Sequence, residues 1–244
     1  MNTIFNQSAY EVRCEWGLTG IEQLAPVSDA VIIIDVLSFT TSVDIALSRG
    51  AIVYPFVERG VSAAEFARKQ GALLATRDRQ QGFSLSPDSL MSLPQDVKLV
   101  LPSPNGSTLS LATGKTPAFA ACLRNAKAVA TYVQKHFKTI AVIPAGERWY
   151  YDDRPQIRPS LEDMCGAGAV ISSLSGKKSP EARAAQTLFE SVSSDLPAFL
   201  SEIVSGRELI AKGSEADLSH AAALNSSRVV PQLLDGVYHN ALDV

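Results

Sequence analysis

The sequence of 244 residues has little of what marks secreted, membrane-bound or nucleic-acid-binding proteins. Its three cysteines are odd in number and lack the spacing of a metal site, so we expect buried free thiols in a reducing compartment. The longest aliphatic run, 30–34, is far shorter than the roughly 20 residues that cross a bilayer. Residues 1–10 have neither the basic start nor the apolar centre of a signal peptide. We therefore predict a cytoplasmic protein without a membrane partner.

Positive charge and histidine are also scarce. The net charge is −3, and no window gathers enough lysine and arginine to form a nucleic-acid-binding surface. A small anionic ligand would need a local basic pocket rather than a general positive field. The three histidines lie far apart and have no nucleophile motif near them, so nothing in the sequence supports a Ser-His-Asp hydrolase.

The sequence has a hydrophobic pattern that predicts buried strands and helices in alternation. With 46% apolar and 19% charged residues, the chain can form a sizeable core. The runs 31–35 and 52–57 are typical of strands buried on both faces, and helices are predicted at 39–49 and 62–70. This alternation predicts parallel strands connected by right-handed crossovers. Further strands are predicted at 10–16, 97–101, 118–121 and 140–144, and further helices at 106–112 and 125–136.

After Pro159 the pattern becomes helical. We predict one domain over 1–244, with a soft sub-domain boundary in the charged loop 147–159, and helices that cover the sheet. The predicted helices are 161–174, 180–192, 196–204, 207–212 and 215–223.

Asp35 is the first candidate site residue, because it stands at the carboxyl end of a buried strand. Ligands of open α/β sheets bind at that edge. A carboxylate there can hold Mg²⁺ or attack phosphorus. The alternative is an Asp that accepts hydrogen bonds from backbone N–H groups at the start of the next helix.

A second candidate is the segment 103–108, which follows a predicted strand and leads into a helix. Its glycine and its hydroxyl and amide side chains suit the binding of an anion such as phosphate, although an ordinary turn is the alternative. The candidate residues are Ser103, Asn105, Gly106, Ser107 and Thr108.

Glu162 and Asp163 are a third candidate, at the start of a predicted helix. Ser160 is the predicted N-cap, and Asp163 stands at a spacing that resembles a capping box, which favours a structural role for it. The helix start gives no structural reason for the glutamate at position 162. Gly166 and Gly168 indicate close approach by another backbone or by a ligand.

The fourth candidate is the loop 147–158, which contains three arginines, Arg148, Arg154 and Arg158. Arginine side chains match the oxygens of phosphate, carboxylate and sulfonate groups, although a solvated loop of mixed charge is the alternative. The same two interpretations apply to the arginines of 77–79.

These segments together resemble the ComB-like 2-phosphosulfolactate phosphatase family, in order and over nearly the whole chain. The stretches that carry the resemblance are 35–37 with 40–41, 82–87, 105–107, 125–126, 145–147 and 160–168. The resemblance implies a three-layer α/β/α fold with a mostly parallel mixed sheet and a helix-rich C-terminal third. It also implies Mg²⁺-dependent hydrolysis of 2-phospho-3-sulfolactate to sulfolactate and phosphate, a step of coenzyme M biosynthesis in methanogens.

Two positions depart from the family pattern, and they leave the exact substrate open. Ser38 stands where the family commonly has arginine, and Ser84 where it often has aspartate. The alternatives are a phosphatase for another small phosphorylated acid and a non-catalytic binder of phosphorylated or sulfonated metabolites.

On this resemblance we predict that Asp35 and Glu162 are catalytic and hold Mg²⁺ together with Asp163. The 103–108 segment would bind the phosphate, and Arg148 or Arg154 the sulfonate or carboxylate end of the substrate. The nucleophile is either a metal-activated water or Asp35 itself. A homodimer is expected only because dimers are common among soluble enzymes of this size.

Overall fold

The computed structural model describes residues 3–57, 61–76, 79, 82–151 and 154–243, and these form a nine-stranded mixed sheet with a separate two-stranded hairpin. The strands are β1 (Val12–Cys14), β2 (Ala30–Ile34), β3 (Ile52–Phe56), β4 (Leu73–Leu74), β5 (Lys98–Pro102), β6 (Ala118–Ala121), β7 (Ile140–Pro144), β8 (Glu147–Tyr151), β9 (Arg154–Arg158), β10 (Pro231–Leu234) and β11 (Val237–Asn240). The prediction of strands at 118–121 and 140–144 is confirmed to the residue.

The large sheet has the order β1-β7-β2-β6-β10-β11-β3-β5-β4. Strands β1, β7, β2 and β6 pair in parallel, as do β3, β5 and β4, which confirms the predicted mostly parallel sheet. The antiparallel hairpin β10–β11 joins the two groups. This hairpin was not predicted, because the residues after Pro159 show only a helical pattern.

Helices cover both faces of the sheet. They are α1 (Gly17–Leu24), α2 (Phe39–Ser48), α3 (Val61–Gln70), α4 (Pro87–Leu90), α5 (Gly106–Ala112), α6 (Ala126–His136), α7 (Leu161–Ser172), α8 (Pro180–Val192), α9 (Leu196–Glu202), α10 (Val204–Ala211) and α11 (Glu215–Ala221). The predicted helices 106–112 and 180–192 are confirmed to the residue, while α1 was not predicted.

The three-layer arrangement follows from the alternation of side chains along β2. Because successive side chains of a strand point to opposite faces, β2 contributes to two cores. Ile32 and Ile34 lie in the larger cluster, which includes residues of α6 to α11. Val31 and Ile33 lie in a second cluster with residues of α1 and α5. The helices of the C-terminal third therefore cover one face of the sheet, as predicted.

Helix α7 lies unusually close to the carboxyl end of β2 and to helix α8. A Cβ atom on Gly166 would stand 2.6 Å from Cγ2 of Val36, and one on Gly168 would stand 2.1 Å from the carbonyl oxygen of Ala185. Both distances are below normal contact, so glycine is required for this packing. The prediction of close approach by another backbone is confirmed at Gly168, whereas Gly166 is approached by the side chains of Val36 and Ile34. This packing brings the start of α7 beside Asp35.

The charged loop of 147–159 is a hairpin rather than an irregular loop. Strands β8 and β9 pair in antiparallel register, from Glu147 opposite Arg158 to Tyr151 opposite Arg154. The three cysteines are free and buried, which confirms that prediction. Within the described part of the chain, no helix is long and apolar enough to span a membrane.

Candidate active site

Asp35 directly follows β2, and its buried carboxylate receives hydrogen bonds from the first turns of two helices. The N–H of Phe39, in α2, donates to Oδ1 over 3.3 Å, and the N–H of Gly106, in α5, donates to Oδ2 over 2.9 Å. Four strands lie between β2 and β5 in the sheet order, yet the Gly106 bond joins their carboxyl ends. Asp35 and the 103–108 segment therefore lie together at this edge of the sheet.

Asp163 ties three parts of this edge to one another. Its Oδ1 accepts from the N–H of Val36 over 2.7 Å, and its Oδ2 accepts from the N–H of Gly146 over 2.9 Å and from the Ser160 hydroxyl over 2.8 Å. Both oxygens are thus engaged within the protein. These contacts favour a bracing role for Asp163 over the predicted role as a metal ligand.

The predicted cap at the start of α7 has the expected position but not the expected bond. Ser160 is the N-cap residue, yet its side chain accepts no capping hydrogen bond. It donates to Asp163 instead. The capping-box prediction is therefore wrong in its chemistry, because Asp163 accepts from the Ser160 hydroxyl and from backbone N–H groups that follow β2 and β7, and not from the backbone N–H of Ser160.

Glu162 is almost fully buried and carries a polar atom that nothing in the described structure satisfies. Its Oε2 has no hydrogen-bond partner among the described residues. An unpaired buried polar atom is costly, and a buried carboxylate more so. Burial raises the pKa of Glu162, while the charge of Arg158 and hydrogen bonds from serine hydroxyls oppose that rise.

Glu147, at the start of β8, adds another carboxyl group, which was not among the predicted site residues. Desolvation and the negative charges of Asp35 and Glu162 raise its pKa to about 7, against the opposing effect of Arg158. Desolvation, together with Glu162, likewise raises the pKa of Asp35 to about 6. Burial and the charges of Asp35 and Glu162 raise the pKa of Asp163 well above its usual value.

These four groups influence one another's charge and so form one acidic cluster, which we define as Asp35, Glu147, Glu162 and Asp163. Like charges in a desolvated site favour the protonated forms unless a cation is present. The arrangement is therefore suited to a cationic ligand.

Arg158 is the arginine that faces this cluster. It lies in β9, its positive charge opposes the rise in the pKa of Glu147 and Glu162 that burial causes, and its Nη2 donates to Oγ of Ser205 over 2.8 Å. Arg148 is exposed and donates to the carbonyl oxygen of Pro104. Arg154 lies in β9, but its side chain falls outside the described part of the structure.

The hydroxyl groups of the 103–108 segment bind the protein's own backbone. Ser107 donates to the carbonyl of Leu101 and accepts from the N–H of Phe56, which links the ends of β3 and β5. Thr108 donates to the carbonyl of Pro104, and Ser103 accepts from the N–H of Gly106. Ser107 and Thr108 thus donate their hydroxyl protons to the protein's own carbonyls, whereas Ser103 only accepts a hydrogen bond, and the role of this segment in binding phosphate stays a prediction.

Asn105 keeps its side chain directed toward the cluster. Its Nδ2 donates to Oε2 of Glu147 over 3.3 Å. Both residues line a cleft of about 300 Å³, together with Thr108 and Arg148. The remaining wall of the cleft is largely apolar and is formed by Gly17, Leu18, Leu109, Ala145, Gln156 and Ile157. The cleft thus has a polar end at Glu147, the one member of these carboxyl groups that lines it, and a largely apolar side.

Comparison with known proteins identifies the family of this chain. Residues 20–236 match the family described as 2-phosphosulpholactate phosphatase. The chain belongs to the 2-phosphosulfolactate phosphatase family. The predictions of this family, and of a phosphoric monoester hydrolase within it, are therefore confirmed.

Individual relatives of this family align over most of their length. A protein of Carboxydothermus hydrogenoformans, named "Probable 2-phosphosulfolactate phosphatase", is 32% identical over 217 residues, which are 83% of this chain and 85% of that protein. A protein of the same name from Gloeobacter violaceus is 29% identical, with coverage of 84% and 88%. One from Prochlorococcus marinus is 30% identical, with coverage of 86% and 91%.

Proposed function

We propose that this member of the 2-phosphosulfolactate phosphatase family hydrolyses 2-phospho-3-sulfolactate to 3-sulfolactate and phosphate, with Mg²⁺ as cofactor. The observation that carries the proposal is the acidic cluster at the carboxyl end of β2, in which Glu162 holds an unpartnered buried oxygen. A site for an anionic ester gains nothing from four carboxyl groups unless a cation joins them.

The donor set fits Mg²⁺ rather than a metal that needs a full protein cage. Within the described residues, no three His, Cys, Asp or Glu side chains form a group that could hold a metal ion. Mg²⁺ is commonly bound by one or two carboxylates, with water and substrate phosphate completing its six ligands. We propose Asp35 and Glu162 as those carboxylates. Once bound, the ion would neutralise charge on the phosphoryl oxygens.

Three other residues have roles in binding the substrate and in proton transfer. Arg158 supplies fixed positive charge beside the cluster, and Asn105 supplies an amide donor at the polar end of the cleft. Glu147, whose pKa lies near 7, takes the proton of the attacking water as the new P–O bond forms and the ester P–O bond breaks. The same proton is then available for the alkoxide oxygen of the departing sulfolactate.

The cleft wall supports a second candidate substrate. Leu18, Leu109 and Ile157 offer apolar contacts that the fully polar sulfolactate does not use. A small phosphorylated acid with an apolar side chain would fit this wall better. This candidate keeps the same chemistry and the same carboxyl cluster.

A phosphate-release assay over small phosphorylated acids, with Mg²⁺ and with EDTA, tests both candidates. We expect Mg²⁺-dependent turnover that is fastest with 2-phospho-3-sulfolactate. Faster turnover of an apolar phosphorylated acid would favour the second candidate. No release from any ester with Mg²⁺ present would refute the proposed function.

The pH dependence of stability provides a test that needs no substrate. Because burial raises the pKa of Asp35 to about 6 and that of Glu147 to about 7, the folded state binds more protons than the unfolded state. These groups should therefore lower the free energy of unfolding as pH rises from about 4 to about 8. We expect Mg²⁺ to raise Tm at pH 8 by several degrees, and much less at pH 5.

The variant Glu162→Gln should lose most of this Mg²⁺-induced shift. Glu202→Gln changes an exposed glutamate outside the cluster, and it should keep the shift. Equal Mg²⁺ effects at pH 5 and pH 8, or an unchanged shift in Glu162→Gln, would contradict the assignment of the metal site.

A further inference from the structure

Arg79 reaches the start of helix α2 from a distant part of the chain. Its Nη2 donates to Oγ of Ser38 over 2.9 Å, and its Nη1 donates to Oδ2 of Asp217, in α11, over 2.6 Å. Ser38 is the N-cap residue of α2, and its side chain makes no capping bond. The guanidinium group therefore contacts a residue that lies three positions after Asp35 in the chain.

Asp217 holds this guanidinium firmly. The carboxylate is fully buried, and its other oxygen, Oδ1, accepts from the Ser86 hydroxyl and from the N–H of Asp88 over 3.0 Å. With both oxygens engaged, Asp217 fixes the position of Arg79 through a charge-assisted bond. A pre-positioned cation binds an anion at a smaller entropic cost than a mobile one.

The position of Arg79 differs from that of the cations on the cleft side. Arg148 and Arg158 lie in the β8–β9 hairpin, on the side of the cluster where Asn105 and Glu147 meet. Arg79 lies at the start of α2, whose Phe39 N–H contacts the other oxygen of Asp35. Arg79 is thus a fixed cation at the start of α2, the helix whose Phe39 N–H binds Asp35.

A purely structural ion pair explains these contacts less well. A salt bridge with a fully buried carboxylate costs desolvation, and such pairs are weak evidence for a stabilising role. The arginine side chain is also 23% exposed, so it can meet a solute. A guanidinium group has five N–H donors in a fork that matches carboxylate and sulfonate oxygens.

We propose that Arg79 binds the carboxylate–sulfonate end of the substrate while the phosphate lies at Asp35 and Glu162. This inference rests on the proposed function, because it assumes a substrate with a second anionic end. It makes Arg79 a residue that determines specificity rather than one that takes part in the chemical step.

The test is steady-state kinetics of Arg79→Gln with 2-phospho-3-sulfolactate, together with inhibition by 3-sulfolactate and by inorganic phosphate. We expect KM and the inhibition constant of sulfolactate to rise roughly tenfold to a hundredfold, since a charged hydrogen-bond partner is lost. We expect kcat and the inhibition constant of phosphate to change less than about threefold.

The matched control is Arg183→Gln, which removes an exposed arginine on α8, and its constants should stay at the wild-type values. A second variant, Arg79→Gln with Ser38→Arg, returns a guanidinium to the same place, and we expect it to recover part of the lost affinity for sulfolactate. Melting curves check that each variant is folded.

Three results would overturn the inference. They are unchanged constants in a folded Arg79→Gln variant, an equal loss of phosphate and sulfolactate affinity, and the same loss in Arg183→Gln. A wild-type protein that hydrolyses no phosphosulfolactate would instead refute the proposed function, so the two failures are distinguishable.

Discussion

Replacing Asp35 by asparagine is expected to lower kcat by roughly a thousandfold or more while the protein stays folded. The carboxylate lies where two helix starts and the acidic cluster meet, and an amide of the same shape removes its charge. The amide keeps one oxygen acceptor for the N–H of Phe39 or Gly106. The other hydrogen bond is lost, which should lower the free energy of unfolding by about 1–3 kcal/mol. Removing a buried negative charge also removes its desolvation cost, and this offsets part of the loss.

The matched control is Asp29→Asn, at the opposite end of the same strand. Asp29 is exposed, and its carboxylate accepts from the backbone of Lys138 and Thr139 far from the acidic cluster. We expect near-normal kcat for this variant in the Mg²⁺-dependent phosphate-release assay. If Asp35→Asn retained wild-type turnover, Asp35 could be neither a metal ligand nor a nucleophile.

The part of the site that the sequence predicted depends on local pattern. A β-branched run followed by an acidic residue identifies a buried strand and its carboxyl end, which is why Asp35 was found. Glycine spacing in a helix likewise indicated the close contact of α7 with β2. Glu162 was chosen because the helix start left it without a structural explanation, and its unpartnered oxygen agrees with that reasoning.

The part that the sequence did not predict depends on long-range pairing. Glu147 and Arg158 are eleven residues apart and face each other only because β8 and β9 form a hairpin. The charged composition of 147–158 concealed the strand pattern, so Arg148 and Arg154 were preferred over Arg158. No alternation of burial marks the described side chains of the hairpin, because Glu147 and Arg158 are half-buried while Arg148, Trp149, Gln156 and Ile157 are all exposed.

Arg79 illustrates the same limit over a larger separation. It meets Ser38 and Asp217, which lie 41 and 138 residues away in the sequence. Ser38 had been noted only as a departure from the family pattern. In this structure Arg79 contacts the hydroxyl of Ser38. A guanidinium group is therefore present at the start of α2, although it comes from another segment of the chain.

Gly106→Ala is expected to impair both stability and activity, although alanine is normally the more stabilising of the two residues within a helix. A Cβ atom at this position would stand 2.1 Å from Cδ1 of Phe39 and 2.8 Å from Oδ2 of Asp35. Phe39 is fully buried and packs edge-on against Tyr238, with ring centroids 6.2 Å apart, so its ring has little room to move. The start of α5 must therefore shift away from Asp35.

This shift should cost about 1–3 kcal/mol of stability, as overpacking of a core usually does. It also lengthens the bond from the Gly106 N–H to the Asp35 carboxylate and moves Asn105 relative to Glu147. A displacement of about 1 Å at reacting groups can lower the rate roughly a hundredfold, and we expect kcat to fall by about that factor. Thermal melting and the phosphate-release assay measure the two effects separately.

The control for Gly106→Ala is Leu111→Ala in the same helix, whose side chain is 47% exposed. It should change stability by less than about 1 kcal/mol and leave kcat near the wild-type value, because it touches neither Phe39 nor Asp35. A Gly106→Ala protein with wild-type Tm and kcat would mean that α5 does not approach Asp35 closely. In that case the 103–108 segment would not belong to the active site.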